Sequence, residues 1–188
     1  MIRLMKVLNG RILDIGGGGE GVIGRLYGGQ VTAIDNRREE LDEAPGGFEK
    51  AVMDATNLSF ADSSFDHVTS FFTLMFMTAE EQRETIKEAA RVLKNGGEIH
   101  IWDCEITSAY PEPFCVDVEI QLPTERISTT YGVGKLDGQD RNSIVQMCVD
   151  AGLVFVRDNI GEHGFYLCFK KENEAWPEIS GESIAKQM

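Results

Sequence analysis

Short apolar runs alternate with amphipathic stretches along most of the 188-residue chain. Arg11–Ile15, Val31–Ile34, Phe48–Met53, His67–Phe71 and Glu98–Asp103 have the length and continuity of buried strands. Between them, apolar residues fall at helical spacing: Val22, Ile23 and Leu26 within about Glu20–Tyr27, and Ile86, Ala89, Ala90 and Leu93 after Thr78. A further short helix is predicted around Arg37–Glu43. Thr78 and Glu81 spell a capping box, while Gly28-Gly29 and Asn95-Gly96-Gly97 act as stops. This alternation predicts an α/β fold, doubly wound around a mostly parallel sheet with helices on both faces.

The second half changes rhythm. Phe114, Val116, Val118, Ile120 and Leu122 alternate with polar residues, predicting a half-buried strand that turns at Pro123–Arg126 into a second, Ile127–Tyr131. This inserted hairpin region covers about 104–137, with Gly132–Gly138 as a loop. A helix from about Arg141 ends at Gly152. Val154–Asn159 and Phe165–Lys171 then flank Gly161–Gly164 as an antiparallel hairpin, completing seven sheet strands with the last antiparallel. Residues 1–171 read as one domain, and 172–188 as a polar tail. Met1–Asn9 fits a short strand or one helical turn.

The chemistry gathers where the first strand ends. Asp14-Ile15-Gly16-Gly17-Gly18-Gly19-Glu20-Gly21 is a glycine turn opening a helix, a geometry that presents backbone N–H groups to a nucleotide. Gly16, Gly18 and Gly21 match the spacing of dinucleotide sites, which leaves a nicotinamide-dependent oxidoreductase as one reading. Asp14 and Glu20 would repel a pyrophosphate but attract a cationic ligand. Asp35, twenty-one positions after Asp14, ends the second strand, where a carboxylate can accept both ribose hydroxyls or cap the next helix. Asp54 and Asp103 end two further strands. Ligands bind at such ends, and four carboxylates there predict a cation-friendly pocket.

The same turn fits D-x-G-x-G, and Asp14–Gly18 resembles the first motif of class I S-adenosylmethionine-dependent methyltransferases. Asp54–Asp66 resembles the family's D-A-x-x-L-P-F-x-D-x-S-F-D stretch, with Ser59 where proline is common. Arg91–Glu98 resembles its R-V-L-K-P-G-G sequence, with Asn95 for proline. The resemblance covers roughly Arg11–Lys171 and is nearest the small-molecule branch related to quinone-biosynthesis enzymes. It implies S-adenosylmethionine as cofactor, held by Asp14, Gly16, Gly18, Glu20, Asp35, Asn36, Asp54, Ala55 and Phe71. Asp54 would accept the adenine amino group and the Ala55 N–H would read a ring nitrogen. The implied reaction is in-line displacement, a nucleophile of a small-molecule acceptor attacking the methyl carbon. Departures are the short N-terminus and the apolar Phe72–Met77 run, which lacks the histidine many members place there. Candidate catalytic groups are Asp103, Glu105, Tyr110, Tyr131 and His163, on or beside the strand ends. A cofactor-binding protein without turnover is the alternative.

Charge and cysteines narrow the setting. A formal net charge of -13 with no strong Lys/Arg cluster argues against nucleic acid and anionic membrane as partners. The four cysteines lack disulfide or zinc spacing, so no metal is expected and a reducing cytoplasm is. Cys148 and Cys168 read as buried small hydrophobes, and His100 as a core or edge residue. The inserted hairpin serves either substrate specificity or a homodimer contact.

Overall fold

The computed structural model describes residues 1–107, 111–134, 138–162 and 164–172. Its main sheet has seven strands: β2 (Ile12–Ile15), β3 (Val31–Asp35), β4 (Glu49–Val52), β5 (Phe65–Phe71), β6 (Leu93–Asp103), β9 (Leu153–Gly161) and β10 (Gly164–Lys171). They lie in the order β4-β3-β2-β5-β6-β10-β9. Only β10 runs against the others, pairing antiparallel with both β6 and β9. This is the predicted Rossmann-like arrangement. The order reverses between β2 and β5, which opens a crevice at their carboxyl ends.

Two apolar layers sandwich the sheet because its strands alternate faces. Leu13, Ile15 and Ile34 join α3 (Ala79–Val92) and α4 (Arg141–Asp150) in one cluster. Ile12, Val31 and Ala33 face the other side, against α1 (Val22–Tyr27). The capping box of α3 is present: Glu81 N–H donates to Thr78 Oγ1 and Thr78 N–H to Glu81 Oε2. Asp140 caps α4, accepting from Ser143 N–H at 3.0 Å. Helix α2 (Arg38–Glu43) carries Glu39 and Glu40 in its first turn, where they oppose the helix dipole's positive end.

The predicted inserted hairpin forms as β7 (Phe114–Gln121) and β8 (Arg126–Val133). It is not an isolated ribbon. The N-terminal β1 (Ile2–Arg3) pairs parallel with β7 through Ile2↔Ile120, making a second, three-stranded sheet in the order β1-β7-β8. Val116, Val118 and Ile120 turn inward onto the α1 side of the main sheet, with Leu4 and Leu8 from the N-terminal segment. The small sheet therefore takes over part of a face that helices were expected to cover. Strand β8 continues to Val133, past the loop start that the sequence predicts at Gly132, because Phe114 pairs with Val133. Strand β6 begins five residues earlier than expected, at Leu93. Its register with β5 jumps from Phe65↔Leu93 to His67↔Glu98, so the Asn95-Gly96-Gly97 stop becomes a bulge within a strand.

Candidate functional site

At the β2–β5 crevice the glycine turn lines a cavity of about 420 Å³. Gly16 adopts φ 71°, a left-handed conformation that costs glycine nothing. The Gly16 and Gly17 N–H groups both donate to the Ile34 carbonyl, at 2.8 and 3.0 Å, folding the turn back over β3. A Cβ at Gly18 would stand 2.5 Å from Glu40 Cβ and 2.9 Å from Asp35 Oδ2. The turn thus lies directly on the second-strand carboxylate. Gly21, at φ 57°, starts α1 without a side-chain cap.

Three of the four strand-end carboxylates line this cavity: Asp14, Asp35 and Asp54. Asp14 is buried, and Thr69 Oγ1 donates to its Oδ1 at 2.7 Å. Burial pushes its pKa up from 3.8 to about 7; the Thr69 bond opposes this and the Asp35 charge adds to it. Asp35 Oδ1 accepts from Arg37 N–H at 2.9 Å, leaving the rest of the carboxylate toward the cavity. Asp54 is exposed, and the backbone and hydroxyl of Thr56 hold its pKa below the usual value. Asn36 and the buried Ala55 and Phe71 also line the space, as do Gly16, Gly18 and Glu20. All nine residues expected at the cofactor come together here.

Of the described catalytic candidates, most do not. Asp103 is fully buried and outside the cavity lining, a correction to its reading as a candidate base. It accepts from Met75 N–H, Cys104 N–H and Gln139 Nε2, so it anchors the loop after β5. Glu105 is exposed and likewise outside the lining. Tyr110 and His163 lie outside the described residues. Among the described candidates, Tyr131 alone reaches the cavity. Its ring stacks on Phe72 at 5.0 Å and 11°, and its hydroxyl donates to Glu20 Oε2 at 3.3 Å. Burial, then Glu20, raises its pKa, which keeps the phenol protonated. Thr129 Oγ1 donates to the other Glu20 oxygen. The Tyr131 and Thr129 contacts close the small sheet onto the glycine turn.

Sequence reasoning missed Thr69, which holds Asp14, and Thr129, which holds Glu20. Phe72 takes φ 50°, unusual for an aromatic residue, and this aims its ring at Tyr131. Leu74 and Met75 pack in the core, while Phe76 is 52% exposed and lines the cavity with Met77. The positive φ and the long-range Thr129 contact leave no local signature.

Comparison with known proteins agrees with this geometry. A family described as "Methyltransferase domain" matches residues 13–101, the stretch that builds the glycine turn, Asp35 and Asp54. No curated protein sequence matches. A solved S-adenosylmethionine-dependent methyltransferase from Methanosarcina mazei superposes with TM-score 0.68 at 22% identity, covering 89% of this chain and 95% of that one. CalS10, an amino pentose methyltransferase from Micromonospora echinaspora solved with S-adenosylmethionine bound, gives 0.58 at 15% identity, covering 86% and 84%. The [4+2]-cyclase SpnF gives 0.60 at 17% identity, covering 88% and 77%. The fold is the Rossmann-like methyltransferase fold. The neighbours share this fold, and the domain match over residues 13–101 supports S-adenosylmethionine as the cofactor.

Proposed function

We propose that this protein transfers the methyl group of S-adenosylmethionine to a small-molecule acceptor. The observation that carries the reading is the cavity itself: a backbone cradle with no room for a Cβ at Gly18, edged by six carboxylates against one basic residue, Arg37, among the described residues that line it. Its volume suits a ligand of drug-like size, and its charge suits a cation. Asp35 would accept the ribose hydroxyls, Asp54 the adenine amino group and the Ala55 N–H a ring nitrogen. Asp14 and the glycine turn would face the amino-acid part of the cofactor. The cofactor supplies an electrophilic methyl group on a good leaving group, displaced in line by the acceptor's nucleophile.

The chain's own contribution is then positioning and exclusion of water. Phe71, Phe72, Phe76 and Met77 form the apolar side of the cavity. Tyr131, over Phe72, is the group best set to touch an acceptor, and its hydroxyl is tied to Glu20. Tyr131 is a hydrogen-bonding and stacking residue in this role and not a base. A small acceptor fits the partly enclosed cavity and the acidic surface better than nucleic acid does. A cytoplasmic setting and a homodimer through the outer edge of β8 belong to the same reading. No described helix is long and apolar enough to cross a membrane.

The alternative is binding without turnover. What favours it is that none of the described residues lining the cavity is a histidine, lysine or cysteine that could act as base or nucleophile. Incubation with methyl-labelled cofactor and a fractionated metabolite extract separates the two. Label appearing in a small molecule supports the transferase. Tight cofactor binding with no labelled product across all fractions supports the binding protein.

A further inference from the structure

Away from this cavity, two neighbouring strands bring together His67, Glu98 and His100. His67 lies opposite Glu98 in the β5–β6 register, and His100 follows two residues along the same face of β6. One ligand atom from each residue falls within 4.8 Å of the other two. His67 Nδ1 is 3.3 Å from His100 Nε2, and Glu98 Oε2 is 3.6 Å from the same Nε2. Two nitrogens bound tetrahedrally at about 2.0–2.1 Å from a zinc ion stand about 3.3 Å apart. The side chains thus already occupy the spacing of a tetrahedron's edges.

The surroundings match what such a centre requires. His100 Nδ1 pairs with Tyr166 OH at 3.0 Å, and Nε2 is hydrogen-bonded to His67 Nδ1 at 3.3 Å, a contact that a bound ion would replace. The Asn9 backbone also hydrogen-bonds the His67 ring. Cys168 sits across from His100 on β10 and interacts with both Glu98 and Tyr166. Arg157, 3.6 Å from Glu98, orients the carboxylate while competing for its charge. His100 is 1% exposed, whereas His67 and Glu98 are half-buried, so an ion has a route in from their side.

We propose that His67, Glu98 and His100 form a binding site for a divalent transition ion of the zinc class. Three protein ligands leave a fourth position for water. Bound there, the ion clips β5 to β6 just beyond the bulge, on strands that lead directly to Phe71 and Asp103. In the chain the three ligands appear as one histidine and a distant Glu-x-His, a spacing without the helical or C-x-x-C signature that marks zinc sites. That is why the sequence predicted no metal.

The test uses the tag-free, chelator-treated chain titrated with zinc by calorimetry and with cobalt by visible absorption. Wild type is expected to bind one ion per chain, with the intense cobalt bands of a four-coordinate site and a raised melting temperature. His67→Gln and Glu98→Gln change half-exposed residues and should lower zinc affinity at least tenfold while retaining the fold, checked by circular dichroism. Failure of wild type to bind either ion would overturn the proposal. Equal affinity in wild type and both variants would overturn it as well, assigning the ion to some other place.

Discussion

The two sides of the cavity are built in different ways. The glycine-turn side is local: residues 14–21 and the ends of β3 and β4 make it from backbone turns and three carboxylates. The other side is assembled from afar, by β8 reaching Glu20 across more than a hundred residues of chain. The first side is stiff and defined by short motifs, so its ligand can be named. The second depends on how one small sheet sits, and this is where acceptor specificity would be set.

If that division is right, mutations on the two sides should fail differently. The largest effect is expected from Gly16→Val, which forces a β-branched residue into φ 71° with its Cβ 2.3 Å from the Thr73 side chain. Strain and overpacking together should cost about 3 kcal/mol or more of stability and abolish cofactor binding, read by denaturant melts and calorimetry.

Asp14→Asn comes next, with opposite signs for stability and binding. Asp14 has a folded pKa of about 7 against 3.8 ordinarily, so the folded state holds a proton that the unfolded state releases. Wild-type stability is therefore full below about pH 4 and falls as pH rises through 7, by on the order of 4 kcal/mol. The variant should flatten that pH dependence in urea melts. It should also weaken binding of cationic cofactor by roughly tenfold at pH 8, where wild-type Asp14 is ionised. Cofactor affinity in wild type should rise with pH through 7, because a cation favours the ionised carboxylate.

Changes on the hairpin side should be smaller and selective. Tyr131→Phe removes the hydroxyl bonded to Glu20 but keeps the stack on Phe72, so about 1 kcal/mol of stability is expected to go. Cofactor affinity should stay within about threefold, while acceptor KM changes once an acceptor is in hand. A large loss of cofactor binding would erase the distinction between the two sides. Thr129→Val should behave similarly, with the smaller effect on the acceptor.

Legibility in the sequence follows the same division. The mostly parallel sheet, its antiparallel final strand and the nine residues that line the cavity are legible because strand periodicity, glycine turns and strand-end carboxylates are encoded over a few residues. Asp103 was misread for the same reason: its place at a strand end is visible, but Gln139 Nε2 donating to it at 2.7 Å is not. The pairing of Ile2 with Ile120 and the Glu20 contacts join segments far apart in the chain, and only the packed fold brings them together. Likewise Asn95-Gly96-Gly97 spells a helix stop, yet the helix ends before it and the glycines serve a strand bulge, a choice made by the partner strand.

The most direct test is calorimetric titration of S-adenosylmethionine into wild type and Asp35→Ala. Removing a carboxylate that accepts the ribose hydroxyls should cost about 2–3 kcal/mol, or at least thirtyfold in affinity, with the fold intact. Wild type that does not bind, or a variant that binds equally well, would contradict the assignment of this cavity to the cofactor.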